Sequence, residues 1–230
     1  AHAMRDTVRA SDWAERVQRH DSAGLQAARL MTEAELAIAD RRFEEASAAL
    51  KQLAQTEGRH IAALRLSLRA EQGQGNWREV ARLARQLQKH KALTPEQAAP
   101  LRSRAVREAL HDLRDDPSGL MKYWRELDDD DRAEASLTLE TALTLAASGD
   151  CREAQRVIED ALDEQWDSDL VLAYGTCGNS EGLAGDVLGR IAQAEKWLER
   201  FPRDSALLLT LGRLCRQQQL WGKARSYLEA

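Results

Sequence analysis

The chain has 230 residues, with 33 Lys or Arg against 38 Asp or Glu, a net charge of −5, and only 5% aromatic residues, 13 Gly and 4 Pro. An Ala- and Leu-rich, charge-rich chain with so little punctuation reads as helical and soluble, and its acidic surplus disfavours a generic nucleic-acid binder. No apolar run reaches the roughly 18 residues that a membrane span needs. The cysteines Cys151, Cys177 and Cys215 are odd in number and lack C-x-x-C spacing, so neither a disulfide framework nor a zinc site is expected and a reducing compartment fits best.

In chain order, residues 1–4 read as a cloning scar and residues 5–24 as the end of a preceding repeat. From there the chain repeats itself. Ala46, Val80, Leu120, Ala154 and Ala224 share one context: a turn, a few polar residues, then a small or apolar residue opening a helix. Ala46 to Val80 and Leu120 to Ala154 are both 34 residues apart. Four residues beyond each lies a second apolar or small residue: Leu50, Ala84, Trp124, Ile158 and Leu228. Such i, i+4 pairs share a helix face. The clearest unit runs from Leu208 through Leu211, Gly212 and Cys215 to Ala224 and Leu228, after Pro202 has closed the preceding helix.

This pattern resembles the tetratricopeptide repeat, a helical hairpin of 34 residues. The resemblance implies an all-α, right-handed superhelix of stacked hairpins forming a single array over residues 5–230. Its units lie near 27–60, 61–100, 101–134, 135–170, 171–204 and 205–230. Thr94 and Pro95 make a helix start, so the extra residues of the 61–100 interval are expected to lengthen the first helix of the third unit. The 171–204 unit carries Arg190 where a small residue is expected and Gly175, Gly178, Gly182 and Gly185 near its start. Its first helix is expected to be short or broken.

In the last third, DLVLAYG at 169–175, AEKWL at 194–198 and the run from Phe201 to Ala230 are similar to the C-terminal part of the HemY family, bacterial inner-membrane repeat proteins associated with late haem (protoporphyrin) synthesis. Residues 194–230 carry the similarity most, then 27–94, and 95–168 least. The resemblance implies a non-enzymatic scaffold for a protein segment, with enzymes of late haem synthesis as possible partners. The alternative it leaves open is a porphyrin or haem carrier. It also implies an N-terminal membrane anchor absent from this stretch, with the repeats on the cytoplasmic side and this portion soluble. It supplies no catalytic residue and no cofactor.

The residues themselves offer little chemistry. Gly178-Asn179-Ser180-Glu181-Gly182 matches G-x-S-x-G, but no strand precedes it and no His follows it, so a loop role is expected. None of His20, His60, His90 and His111 has another His or a Cys at i+3 or i+4, so a metal site is not expected. His111 falls at the large-residue position of the third unit's first helix and is expected to be packed or partly exposed, with axial haem ligation as the alternative that the family's pathway suggests. Cys177 and Cys215 fall at packing positions and read as inert small hydrophobes. The run Asp128-Asp129-Asp130-Asp131 reads as a solvated turn before a helix at Arg132 rather than a calcium loop.

Charge is more informative. Residues 59–107 hold eleven Lys or Arg against three acidic residues, and residues 108–169 hold six against nineteen. By resemblance to the repeat fold, certain first-helix positions line a concave face: Met31, Glu35 and Ile38; Arg65, Arg69 and Gln72; Arg102, Ala105 and Ala109; Leu139 and Leu143; Asn179; Arg213, Arg216 and Gln217. Arginines would then flank an apolar centre and suit the carboxylates of an acidic peptide or of porphyrin propionates. The competing reading is that these arginines form salt bridges with neighbouring helices.

Overall fold

The structure is a computed structural model and describes residues 26–56, 60–176 and 186–230. Among these residues there are thirteen helices and no strand. The chain divides into two compact units, residues 1–109 and 110–230, each described here by itself. The division falls inside the third expected hairpin.

The first unit contains α1 (Gln26–Ala39), α2 (Phe43–Thr56), α3 (Ile61–Gln74), α4 (Trp77–Lys89) and most of α5 (Pro95–Asp112). Apolar residues at helical spacing put Leu30, Ala34 and Ala37 of α1 on one buried face, with Ala46, Leu50 and Leu53 of α2 opposite. Ala34, Ala37, Ala46, Leu50 and Ala70 form one cluster, against which Ile38, Ala63 and Leu66 pack. Alanine at so many contact points lets the helices approach closely. α1 packs on both α2 and α3, and α3 packs on α2 and α4, so the first helices of successive hairpins touch. That contact makes hairpins stack rather than stand apart.

The second unit contains the end of α5, then α6 (Pro117–Glu126), α7 (Asp129–Arg132), α8 (Ala135–Ala147), α9 (Cys151–Glu164), α10 (Ser168–Tyr174), α11 (Val187–Arg200), α12 (Ser205–Gln217) and α13 (Trp221–Glu229). Five helices start the same way: Asp116, Asp150, Asp167, Asp186 and Asp204 each accept a backbone N–H of the first turn. Such a cap contributes about 1 kcal/mol and complements the helix dipole. α8 touches α9 and α10, and α12 touches α10, α11 and α13, repeating the first unit's stacking. An aromatic cluster fills the middle: Trp166 stacks on Phe201 at 4.0 Å, and Trp197 meets Trp166 and Tyr174 edge to face. Burial, then the hydrogen bond to Glu159, raises the Tyr174 hydroxyl above its ordinary pKa. Glu195 ties α11 to α13 by accepting from Lys223 Nζ and Tyr227 Oη, and those bonds hold its carboxyl below the ordinary range.

One turn recurs inside four hairpins. Arg41, Gly75, Gly149 and Gln219 have φ of 61°, 74°, 89° and 57°. The following residue donates its N–H to the carbonyl five residues back in each case: Arg42 to Ala37, Asn76 to Glu71, Asp150 to Leu145 and Leu220 to Cys215. This is the Schellman closure of a helix end. The second helix begins two residues past each turn residue, at Phe43, Trp77, Cys151 and Trp221. Five residues past it sits a buried residue: Ala46, Val80, Ala154 or Ala224. These are the positions that the sequence repeat equates.

The remaining expectations divide. α5 is the longest described helix, at 18 residues, with Pro95 first and Thr94 N–H donating to Gln97, as the Thr94-Pro95 start implied. α10 has only seven residues, as expected of the fifth hairpin. The G-x-S-x-G stretch and Cys177 lie outside the described residues. The aspartate run is corrected: it forms the one-turn α7 itself, with Asp131 buried rather than solvated and Arg132 ending the helix rather than opening one. The absence of a disulfide is corrected too. Cys151 is disulfide-bonded, while Cys215 is free, buried and raised in pKa by that burial. Denatured without reductant, the protein should therefore take up one equivalent of iodoacetamide, at Cys215, and three after reduction. Three equivalents without reduction would show that the bond is not formed.

Candidate functional site

A cleft of about 870 Å³ opens along α8 in the second unit. Its floor is Leu139, Glu140, Leu143 and Ala147 of α8, and its rim is Arg114, Asp115 and Pro117 at the start of α6. The origin lies in α8's sequence, ASLTLETALTLAA. Leu137, Thr138, Thr141, Ala142 and Leu145 face the core. The two threonines can be buried because Thr141 Oγ1 donates to the Leu137 carbonyl at 2.8 Å and Thr138 Oγ1 to that of Arg132 at 2.9 Å. That leaves Leu139 and Leu143 on the opposite side, where Leu143 is 47% exposed. A helix apolar on both faces is ordinarily covered on both. On the rim, the Arg114 guanidinium lies 3.6 Å from the Asp115 carboxylate and 3.3 Å from His111 Nδ1. His111 is exposed rather than packed against a neighbouring helix, the second of the two expected outcomes.

In the first unit Arg65, Arg69 and Gln72 run along one stripe of α3, with both arginines exposed. Arg65 Nη2 donates to the Ala92 carbonyl in the α4–α5 turn at 2.8 Å. Arg102 of α5 donates from Nη1 to Gln88 Oε1 at 2.7 Å. The α3 stripe and Arg102 thus converge on one turn. Glu35 is exposed, Met31 half-buried, and Ile38 packs on the core cluster. Ala105 and Ala109, expected on the concave face, are buried.

Among the sixth hairpin's residues, Arg213 and Arg216 are exposed on α12 and Gln217 is half-buried. Asn179 lies outside the described residues. Arg114, Asp115 and Glu140 were missed by sequence reasoning, since residues at a turn or on an exposed helix face leave no periodic signal. Arg190, the misfit of the repeat, is buried, donating from Nη1 to the Tyr174 carbonyl at 3.2 Å, and its pKa is lowered by that burial.

Among the described residues no group of three or more His, Cys, Asp or Glu is placed to hold a metal ion. No described helix is long and apolar enough to cross a membrane. No protein-family model matches the chain, and no curated protein matches it.

Proposed function

We propose that the protein is a non-enzymatic interaction scaffold whose stacked hairpins hold a segment of a partner protein. The observation that carries this reading is α8: its core face is complete, and Leu139 and Leu143 still stand in an open cleft on the other side. Rigid helical surfaces with a few apolar anchors are what extended or helical segments dock on. The similarity to the HemY family supports a setting in late haem synthesis at the bacterial inner membrane. The protein carrying Leu143→Glu should lose specific co-purifying membrane proteins while its helicity and melting stay unchanged, because an exposed substitution shifts stability by only about 0.5 kcal/mol. Identical co-purification by the variant would overturn the reading.

A second reading, a porphyrin or haem carrier, is favoured by one observation: a guanidinium, Arg114, lines the leucine-bearing cleft, and an imidazole, His111, stands 3.3 Å from it. Soret titration separates the two readings. Saturable one-to-one binding weakened by Arg114→Ala and His111→Ala supports the carrier, and featureless, non-saturating uptake removes it.

A further inference from the structure

The change of charge sign coincides with the division between the compact units: residues 1–109 hold nineteen Lys or Arg against fourteen acidic residues, and 110–230 hold fourteen against twenty-four. Within the first unit the cations are not alike. Arg29 pairs with Glu33, Arg42 with Asp40 and Glu45, and Arg82 with Glu79. These pairs join close neighbours in sequence and neutralise the surface they occupy. Among the described residues no carboxylate pairs with Arg65, Arg69, Lys89 or Lys91, all of them exposed.

Those four are brought together by the fold rather than by sequence. Arg65 and Arg69 are one helical turn apart on α3. The bond from Arg65 to the Ala92 carbonyl seats its guanidinium beside the turn that carries Lys89 and Lys91, and Lys91 donates its N–H to the Gln88 carbonyl at 2.9 Å. Gln88 in turn receives Arg102 from α5. Arg65 and Arg69 of α3, Lys89 at the end of α4 and Lys91 in the turn thus present their cations to solvent.

We propose that this α3 and α4–α5 surface docks a short acidic segment of a partner protein. Guanidinium forks match carboxylates in shape as well as charge. A long polyanion is the poorer fit, because it would extend beyond this patch on a chain whose net charge is −5. The inference rests on the scaffold reading and gives one of its partners a chemistry.

The test uses the whole chain and fluorescein-labelled decaglutamate, read by anisotropy, with decalysine, oligo-dT and phosphatidylglycerol vesicles as comparisons. Decaglutamate should bind saturably and one to one. Its affinity should fall about tenfold, equivalent to about 1.4 kcal/mol, in Arg65→Glu/Arg69→Glu and again in Lys89→Glu/Lys91→Glu. Leu143→Glu, in the other unit, should leave it unchanged. Arg69→Glu alone is the safeguard should the loss of the Arg65 bond to Ala92 disturb folding.

Absent or non-saturating binding, equal binding by the charge-reversed variants, or tighter binding of oligo-dT or vesicles would each overturn the inference. So would salt-sensitive self-association that the same charge reversals abolish, since a second copy would then occupy the surface. If decaglutamate fails while Leu143→Glu still loses its co-purifying proteins, the scaffold reading stands and this inference alone falls.

Discussion

Replacing Asp204 by alanine should lower the melting temperature by on the order of 5–10 °C, from a loss of about 2–4 kcal/mol in a chain of this size. Three interactions end on this one carboxylate. Oδ1 accepts the Leu207 N–H at 2.8 Å and caps α12, while Oδ2 accepts Trp166 Nε1 at 2.9 Å and Ser168 Oγ at 3.3 Å. Loss of the cap costs about 1 kcal/mol. An indole N–H left without its partner inside the aromatic cluster costs about 1–3 kcal/mol more. Burial pushes the carboxyl's pKa up, but the bonds from Trp166, the Leu207 N–H and Ser168 outweigh it and hold Asp204 below the ordinary aspartate range. A carboxyl depressed in the folded state stabilises at pH values above its unfolded pKa, and that contribution disappears as pH falls through the lower folded value. The melting difference between wild type and Asp204→Ala should therefore be constant from neutrality to about pH 4 and narrow below it. A difference that widens on acidification would contradict the assignment.

What could be read in advance, and what could not, follows from how each feature is encoded. Ala46, Val80, Ala154 and Ala224 were legible because burial against the first helix of the hairpin demands a small or apolar residue at a constant offset. The turn five residues before each was only half legible. Gly75 and Gly149 announce a positive φ, whereas Arg41 and Gln219 adopt the same conformation under the pull of the Schellman bonds. Leu228 was equated with buried residues yet is 56% exposed, its side chain lying over Gly212.

On α5 the groove register failed for a geometric reason. The helix begins at Pro95, and the buried face runs through Ala98, Ala105 and Ala109, leaving Arg104, Arg107 and His111 outside. Counting groove positions from Leu101 therefore put Ala105 and Ala109 on the buried side, while Arg102 stays part-exposed. Leu139 and Leu143 were legible because α8 is apolar on both faces, but their rim partners Arg114 and Asp115 come from a turn whose position depends on how α6 packs against α8.

Glu71→Ala should be the most damaging single polar substitution in the first unit, with an expected loss of about 2–4 kcal/mol, because the carboxylate accepts two charge-assisted hydrogen bonds in a buried place. Ser47 Oγ of α2 donates to Oε1 at 2.6 Å and Asn76 Nδ2 to Oε2 at 2.8 Å, with Glu71 only 3% exposed. The Glu71 carbonyl also accepts the Asn76 N–H at 3.0 Å, so side chain and backbone together close the α3–α4 turn. Asn76 consequently directs its amide at Glu71 and does not cap α4. Truncation strands the Ser47 hydroxyl next to the alanine-rich core, while the amide of the exposed Asn76 turns to water, and relief from burying a carboxylate recovers only part of the loss. Glu71→Gln keeps the shape and, if Asn76 turns its amide over, both bonds as neutral ones, so it should cost about 1 kcal/mol. The decisive measurement is a double-mutant cycle by urea denaturation: Ser47→Ala and Glu71→Ala should couple by about 1 kcal/mol or more. Additive losses would mean that Glu71 acts on the fold through Asn76 alone, and that α2 is held to α3 by its apolar face without help from this bond.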